Sequence, residues 1–250
     1  MKRLFFLLFA LPLWAMYTGN PAFPELPEEG LWMDVKSQFG WKIDYIGSAL
    51  YDRRMELDSI RIPQPEPIGS LSSLGYRTER GGVTCNWNNK VEGFFCLGAM
   101  RLTATQNFPS LGSIDYKTDW SLLFSVGGRI ALIYWKEALL GVSASYMRSR
   151  PSVSTLSQNS TSLPEAATSI PYSEWQVGVS ASRQFGWVTP YLGVAFGKAF
   201  VTLNKAMYQN TTPAFAIVGF SVTSGRGLIA TLEGGLLGEY AISWALSFRF

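Results

Sequence analysis

Residues 120–134 read WSLLFSVGGRIALIY, and this stretch decides the fold class. The even positions run Trp, Leu, Phe, Val, Gly, Ile, Leu, Tyr, whereas the odd positions include Ser121, Ser125 and Arg129. Successive side chains of a β-strand point to opposite faces of the sheet. The segment therefore predicts a strand with one apolar face and one small or polar face.

The same period-two alternation recurs along the chain and predicts about ten strands. We place them near 33–46, 67–80, 91–104, 119–134, 138–149, 173–185, 188–202, 213–223, 227–236 and 239–250. Strands of soluble sandwiches are more often ~5–6 residues long, whereas a tilted strand needs ~9–11 residues to cross a bilayer. The predicted lengths favour membrane-crossing strands.

The connections between these strands alternate in length. Long ones follow every second strand (47–66, 105–118, 150–172 and 203–212), short ones lie at 135–137, 186–187 and 224–226, and 81–90 is intermediate. The Ser-, Thr- and Pro-rich segment 150–172 predicts an exposed, mobile loop. Long loops on one side, tight turns on the other and aromatic residues near the strand ends are typical of bacterial outer-membrane barrels. The aromatic residues are Trp120, Tyr134, Trp135, Trp175, Trp187 and Tyr240.

A soluble β-sandwich is the competing interpretation, because periodicity alone does not say which face meets solvent. Three features favour the membrane: a leader-like N-terminus, the aromatic strand ends and a last strand that finishes on Phe248 and Phe250. Such C-terminal Phe strands resemble the signal read by the barrel assembly machinery. We therefore predict an all-β, transmembrane, antiparallel up-and-down β-barrel of about 10 strands, with 8–12 as the range, held in outer-membrane lipid.

The chain divides into three parts. Residues 1–15 (MKRLFFLLFALPLWA) have a basic start, an apolar run and a final small residue, which predicts a cleaved signal peptide. Residues 16–32 contain three prolines and three glutamates and make a poor strand. They form either a periplasmic lead-in or a plug in the lumen. Residues 33–250 form the predicted barrel.

Composition excludes several function classes. The chain has no histidine and two cysteines, so an imidazole-based catalytic triad and His- or thiolate-rich metal sites are excluded. The net charge of +3 gives no case for nucleic acid. We expect no catalytic residues, no cofactor and no metal, and a barrel protease or lipid-modifying enzyme is the least favoured alternative.

Several segments carry a family resemblance. They are GNPA (19–22) followed by Leu31 and Trp32, FCLGA (95–99), FSVGGRIALIYWKEALLGVSASYMRSRPSV (124–153), YSEWQVGVSASRQFGWVTPYLGVAF (172–196) and the terminal FRF (248–250). In their order and spacing they resemble the chlamydial major outer membrane protein family. The resemblance implies an outer-membrane porin that is also a structural surface component. This chain is shorter than that family and keeps only Cys85 and Cys96, whereas the family is cysteine-rich and disulfide-linked.

The inner face of the predicted barrel carries balanced charge, with five residues of each sign. The predicted pore-lining residues are Lys36, Lys42, Arg77, Arg129, Arg249, Asp34, Asp44, Glu79, Glu174 and Glu233. They favour a narrow charged lumen that orients small solutes or ions. A lumen closed by salt bridges is the alternative, because barrels of ~8 strands are filled by side chains. Such a closed barrel would act as a surface structural protein or adhesin through its long loops.

The sequence does not decide whether the two cysteines form disulfides. Around the turn near residues 88–89, Cys85 would face about residue 92, so an intra-hairpin bond to Cys96 is disfavoured by geometry. Cys96 matches a family cysteine, and the resemblance implies disulfides to other envelope proteins. A small buried or lipid-facing thiol is the alternative. A homo-oligomer is also left open.

Overall fold

The computed structural model consists of β-strands joined by turns. It describes residues 19, 39–60, 69–88, 90–109, 112–135, 138–158, 161–163, 169–224, 227–236 and 240–250. Ten long strands form the wall: β1 (Phe39–Arg53), β3 (Ser70–Trp87), β4 (Val91–Phe108), β6 (Ser121–Trp135), β7 (Ala138–Ser149), β10 (Tyr172–Arg183), β11 (Val188–Leu203), β13 (Ala214–Thr223), β14 (Leu228–Leu236) and β15 (Tyr240–Arg249). Five short strands extend it on one side: β2 (Met55–Ile60), β5 (Gly112–Thr118), β8 (Val153–Gln158), β9 (Thr161–Leu163) and β12 (Ala206–Asn210).

The ten wall strands close into a ring. Each pairs antiparallel with its neighbours in the order β3-β1-β15-β14-β13-β11-β10-β7-β6-β4, and β3 pairs with β4 to complete the circle. The last strand closes on the first through a ladder that runs from Lys42–Arg249 to Asp52–Tyr240. Closure leaves no free edge among the ten described wall strands, which lipid requires. The predicted ten-strand up-and-down barrel is confirmed.

The alternation that predicted the fold sorts side chains between lipid and lumen. On β6, Leu122 and Val126 are 73% and 46% exposed on the outside, whereas Ser125 on the inside is 1% exposed. The exposed hydrophobic residues of the other wall strands form the same apolar exterior. Such an exterior is stable in lipid tails and would be costly in water.

Three strands extend further than predicted, and one of them, predicted at 91–104, is β4 and continues to Phe108. The first, predicted at 33–46, is β1 and continues to Arg53 because Ser48 and Leu50 maintain the inward alternation and pair with β15. The second, predicted at 67–80, is β3 and continues to Trp87. The connection that follows is therefore tighter than the predicted 81–90, with Asn88 at φ 53° in the left-handed region that tight turns use. Residues 33–38 lie outside the described residues.

The long connections are not simple loops. The predicted mobile segment 150–172 contains β8 and β9, and β8 pairs with β5. In the segment 47–66, β2 pairs with β12 rather than entering the ring, so it does not widen the barrel. In the described part of the chain, no helix is long and apolar enough to span a membrane.

Candidate functional site

The lumen is the candidate site, and most of the described charges predicted there do lie inside the wall. Lys42, Asp44, Arg129, Glu174 and Glu233 are buried on the inner face, at most 7% exposed. Arg249 also points inward at the end of β15, where its guanidinium lies beside Gly40. Asp34 and Lys36 are outside the described residues.

Arg77 and Glu79 are the two exceptions, and the predicted inner placement is wrong for both. The inward residues of β3 are the buried, even-numbered ones, including Thr78, Arg80 and Thr84, so Arg77 and Glu79 point outward and are exposed. The misassignment arose because this half of the strand has few outward hydrophobic residues to mark its lipid face.

Glu92 organises the charges on the tight-turn side of the lumen, which is the periplasmic side of an outer-membrane barrel. Its carboxylate forms an ion pair with Lys42 and a second with Arg129 at 3.0 Å between Oε2 and Nη1, and it accepts a hydrogen bond from Asn86 Nδ2 at 3.3 Å. The Arg129 guanidinium also lies 5.4 Å from the centroid of the Phe94 ring. These contacts link the four neighbouring wall strands β1, β3, β4 and β6 on their inner face.

Arg80 and Arg53 are inner-face cations that the sequence interpretation missed. Arg80 reaches Ser125 Oγ at 3.2 Å and Ser48 Oγ at 3.3 Å. Arg53 follows a register shift in β1, where simple alternation fails. Arg80 was missed because the predicted register turned Arg77 and Glu79 inward, which puts Arg80 on the outer face. The sequence could have identified Glu92 as an inner-face residue. Phe95 and Leu97 mark the odd positions of β4 as lipid-facing, so the even positions, including Glu92, face the lumen.

Gly19 brings a further piece of chain into the lumen. Its backbone N–H donates to Glu233 Oε2 at 3.0 Å, and the same oxygen accepts the Tyr191 hydroxyl at 2.7 Å. Gly19 is buried and has φ 75°, and a Cβ there would overlap the Arg129 guanidinium. Glycine fits this position because it adopts a positive φ without strain and has no Cβ to overlap Arg129.

A second charged cluster lies towards the opposite, extracellular end. Arg53 Nη2 lies 2.7 Å from Glu174 Oε1, and Arg53 Nη1 donates to the Tyr172 hydroxyl at 2.8 Å. Tyr172 in turn donates to Glu174, and the ring of Tyr76 packs edge-on against Tyr172 with centroids 5.6 Å apart. The Arg53–Glu174 ion pair is almost fully buried, and both oxygens of the Glu174 carboxylate have a hydrogen-bond partner. A buried charge requires such partners.

An apolar core fills the extracellular end of the lumen. It comprises 19 buried residues that converge from eight wall strands and from β2, β5 and β12. Two tyrosines of this core bind Gln106, which accepts a hydrogen bond from Tyr116 at 3.1 Å and donates one to Tyr208 at 2.7 Å. Burial raises the pKa of both phenols, since the anionic form would lose its water. Packed side chains thus narrow this end of the lumen.

The cysteines do not pair. Both are free thiols: Cys96 is completely buried inside the barrel, whereas Cys85 is on the outer face of β3, opposite Trp41 on β1. Because they occupy opposite faces of the wall, an internal disulfide is excluded in this fold. Cys96 is buried in this barrel, as in the small buried thiol that was its alternative, and the disulfides to other envelope proteins implied by the resemblance stay a prediction.

Relatives of known function fit this barrel. The chain is 31% identical over 242 residues to a major outer membrane porin of Chlamydia pneumoniae, covering 76% of this chain and 60% of that porin. It is 29% identical over 157 residues to the major outer membrane porin of Chlamydia trachomatis serovar D, covering 50% of this chain and 40% of the porin. The chain is similar to these porins and divergent from them. It spans only 40% to 60% of their length, and no family model matches it.

Solved structures resemble this fold only weakly. The β domain of the Bordetella autotransporter BrkA has a TM-score of 0.47 at 12% identity, covering 86% of this chain and 99% of that chain. The Escherichia coli outer membrane protease OmpT has a TM-score of 0.38 at 11% identity, covering 85% and 96%. These similarities are too weak to carry an argument about function. The closed wall, its apolar exterior and the porin relatives identify an integral outer-membrane protein.

Proposed function

We propose that this barrel is a porin-type channel of low conductance, in which small ions and polar solutes pass a charged lumen and an apolar constriction. The observation that carries the proposal is the inner wall. In the described part of the chain it bears five cations and four carboxylates, namely Lys42, Arg53, Arg80, Arg129, Arg249, Asp44, Glu92, Glu174 and Glu233.

So many inward charges argue against a barrel that is only a packed structural element. Removing a charged group from water costs several kcal/mol even when it is paired. A filled ten-strand barrel could be built more stably with apolar residues throughout. Opposed charges along a polar wall are the arrangement that orients small solutes in channels.

The apolar core makes a closed structural barrel the second candidate. Leu74, Met100 and Leu102 within it are completely buried, and the cluster crosses the lumen. Passage therefore requires these side chains to move. The surface extensions β5, β8 and β12 would then be the part that meets partners, as a surface structural protein or adhesin.

Planar-bilayer recording on refolded protein separates the two candidates. We expect small single-channel steps for the unmodified chain, and larger steps for a Leu74→Ala, Met100→Ala variant, because both truncations open space in the constriction. Leu97→Ala, on the lipid face and 50% exposed, is the matched control and leaves the step size unchanged. Absence of steps in all three proteins would favour the closed structural barrel.

We further propose that Gly19 narrows the lumen. Its contacts with Glu233 and Arg129 place backbone between two strands of the wall, β14 and β6. This favours the plug over the lead-in for the part of the segment 16–32 that includes Gly19. The remaining residues of that segment, and the leader 1–15, lie outside the described residues. Intact mass of the exported protein tests the leader, with the loss of 1–15 expected.

The C-terminal strand carries the proposed assembly signal, Phe248 and Phe250. Phe248 points outward on β15, 36% exposed, and the backbone N–H of Phe250 donates to Trp41 O at 3.3 Å. Both lie at the seam where β15 meets β1, which supports a role for this strand in recognition by the barrel assembly machinery.

We propose no enzymatic activity, since a chain without histidine lacks the usual imidazole base. Incubation of the refolded barrel with a peptide library, followed by mass spectrometry, is expected to leave the peptides intact.

A further inference from the structure

Two arginines face each other on the outside of the barrel. Arg77 on β3 and Arg101 on β4 are register partners, and both are exposed. Directly opposite residues on an antiparallel pair have Cβ atoms about 4.5–5.5 Å apart, and like charges there destabilise the pair. An anion bound by both guanidinium groups would offset this repulsion.

No carboxylate in the part of the chain that the structure describes forms an ion pair with either arginine. Glu79, the one carboxylate of β3, is exposed two residues from Arg77 but forms no ion pair with either arginine among those found in the described residues. The two guanidinium groups therefore keep their donors for an external partner.

The height of the pair on the wall indicates where this partner comes from. From the tight turn, the outward positions of β4 run through Val91, Gly93, Phe95, Leu97 and Ala99 before reaching Arg101. That run of about ten residues matches one crossing of the hydrocarbon layer by a tilted strand. Arg101 is thus the first charged outward residue of its strand beyond the apolar band, at the extracellular interface.

Apolar and aromatic residues flank the pair at this height. Leu97 is 50% exposed and Leu122, opposite Ala99 on β6, is 73% exposed. Trp120, 50% exposed, comes just before β6. A tryptophan at this position is typical of the membrane interface. A ligand bound here has its charged part beside the arginines and its remaining surface against hydrophobic side chains.

We propose that Arg77 and Arg101 bind a phosphate group of an outer-leaflet glycolipid whose acyl chains lie along Leu97 and Leu122. Guanidinium groups bind phosphate through paired, charge-assisted hydrogen bonds. The site faces lipid rather than the lumen or bulk water, so a lipid phosphate reaches it more readily than a soluble one. Bound lipid relieves the repulsion between the two arginines.

Native mass spectrometry of the refolded full chain tests this directly, with bisphosphorylated lipid A as the probe. We expect lipid A to bind the unmodified barrel and to bind an Arg77→Gln, Arg101→Gln variant about tenfold more weakly or worse, since charged hydrogen bonds are lost. Arg183→Gln is the matched control, because Arg183 is an exposed outward arginine at the opposite, tight-turn end of the wall. Its affinity for lipid A is expected to stay unchanged, and heat-shift electrophoresis confirms that each variant is folded.

Three results would overturn the proposal. Equal affinity of the double variant and the unmodified barrel would remove the arginines from lipid binding. Complete displacement of lipid A by excess inorganic phosphate would assign the pair to a free anion. Loss of a dimer in the double variant, with lipid uptake unchanged, would assign the pair to contact with a second copy of the chain.

Discussion

Replacing Glu92 with glutamine is expected to cost the barrel much of its stability. The Glu92 side chain is completely buried, and its ion-pair partners Lys42 and Arg129 are only 8% and 9% exposed. The substitution keeps the size of the side chain and removes its charge. Two cations then remain in the lumen without the carboxylate that they share.

The expected magnitude follows from this burial. Breaking a buried ion pair by removing one partner costs about 3–5 kcal/mol, because an uncompensated charge stays behind. An exposed pair contributes about 0–1 kcal/mol. Since none of the three side chains is more than one-tenth exposed, we expect a loss of about 3–5 kcal/mol in the free energy of unfolding for Glu92→Gln.

Reversible urea unfolding in lipid vesicles, followed by tryptophan emission, measures this loss. Glu56→Gln is the matched control: Glu56 is an exposed carboxylate on β2 that accepts one hydrogen bond, from Gln209 at 3.2 Å, and its replacement is expected to cost about 0.5 kcal/mol or less. Adding Lys42→Met to Glu92→Gln removes one orphaned cation and should recover part of the loss. A Glu92→Gln variant as stable as the control would refute the view that these charges form a buried, mutually dependent cluster.

Three further predictions concern the lumen and the thiols. Arg129→Ala should raise single-channel conductance and shift the reversal potential towards cations, because it removes bulk and one positive charge from the inner wall; unchanged conductance and selectivity would contradict a place in the pore. Gly19→Val should also raise conductance, since a side chain overlaps the Arg129 guanidinium and expels the backbone from its contact with Glu233; a lower conductance would show that the segment stays in place. A maleimide reagent should label Cys85 in the folded barrel and Cys96 only after unfolding, as read by intact mass; rapid labelling of Cys96 in the folded state would contradict its burial.

Sequence patterning was sufficient wherever bulky hydrophobic residues marked the lipid face. The hairpins β6–β7 and β10–β11 were predicted with boundaries within one or two residues, because Leu122, Val126, Val177 and Val179 leave no doubt about the outer face. Their inward polar residues followed automatically, since the period of a strand is two. Arg129 and Glu174 were placed inside on this basis.

The pattern failed where that marker was missing. The outer face of β3 carries Arg77, Glu79 and Gly81 at successive outward positions, so charge suggested the wrong register, and a one-residue slip moves every side chain to the other face. Arg53 follows an irregularity in β1, which period-two reasoning does not anticipate.

The extracellular end was beyond sequence reasoning for a different reason. The extensions β5, β8 and β12 are short, and they are stabilised by pairing with distant strands rather than by local propensity. Tyr208, on β12, donates to Gly69 O at 2.6 Å across 139 residues of chain. The apolar core that narrows this end therefore depends on tertiary contacts that no local window contains.

Which face of the wall strands meets lipid decides the place of every charge described above. A spin-label scan of β6 tests this orientation most directly. Single cysteines at residues 122 to 126, in a chain with Cys85 and Cys96 replaced by serine, would carry the label in lipid vesicles. We predict high collision rates with lipid-dissolved oxygen at positions 122, 124 and 126, and low rates at 123 and 125. High oxygen accessibility at the odd positions, or no alternation at all, would contradict a barrel whose hydrophobic residues face lipid and whose charges face the lumen.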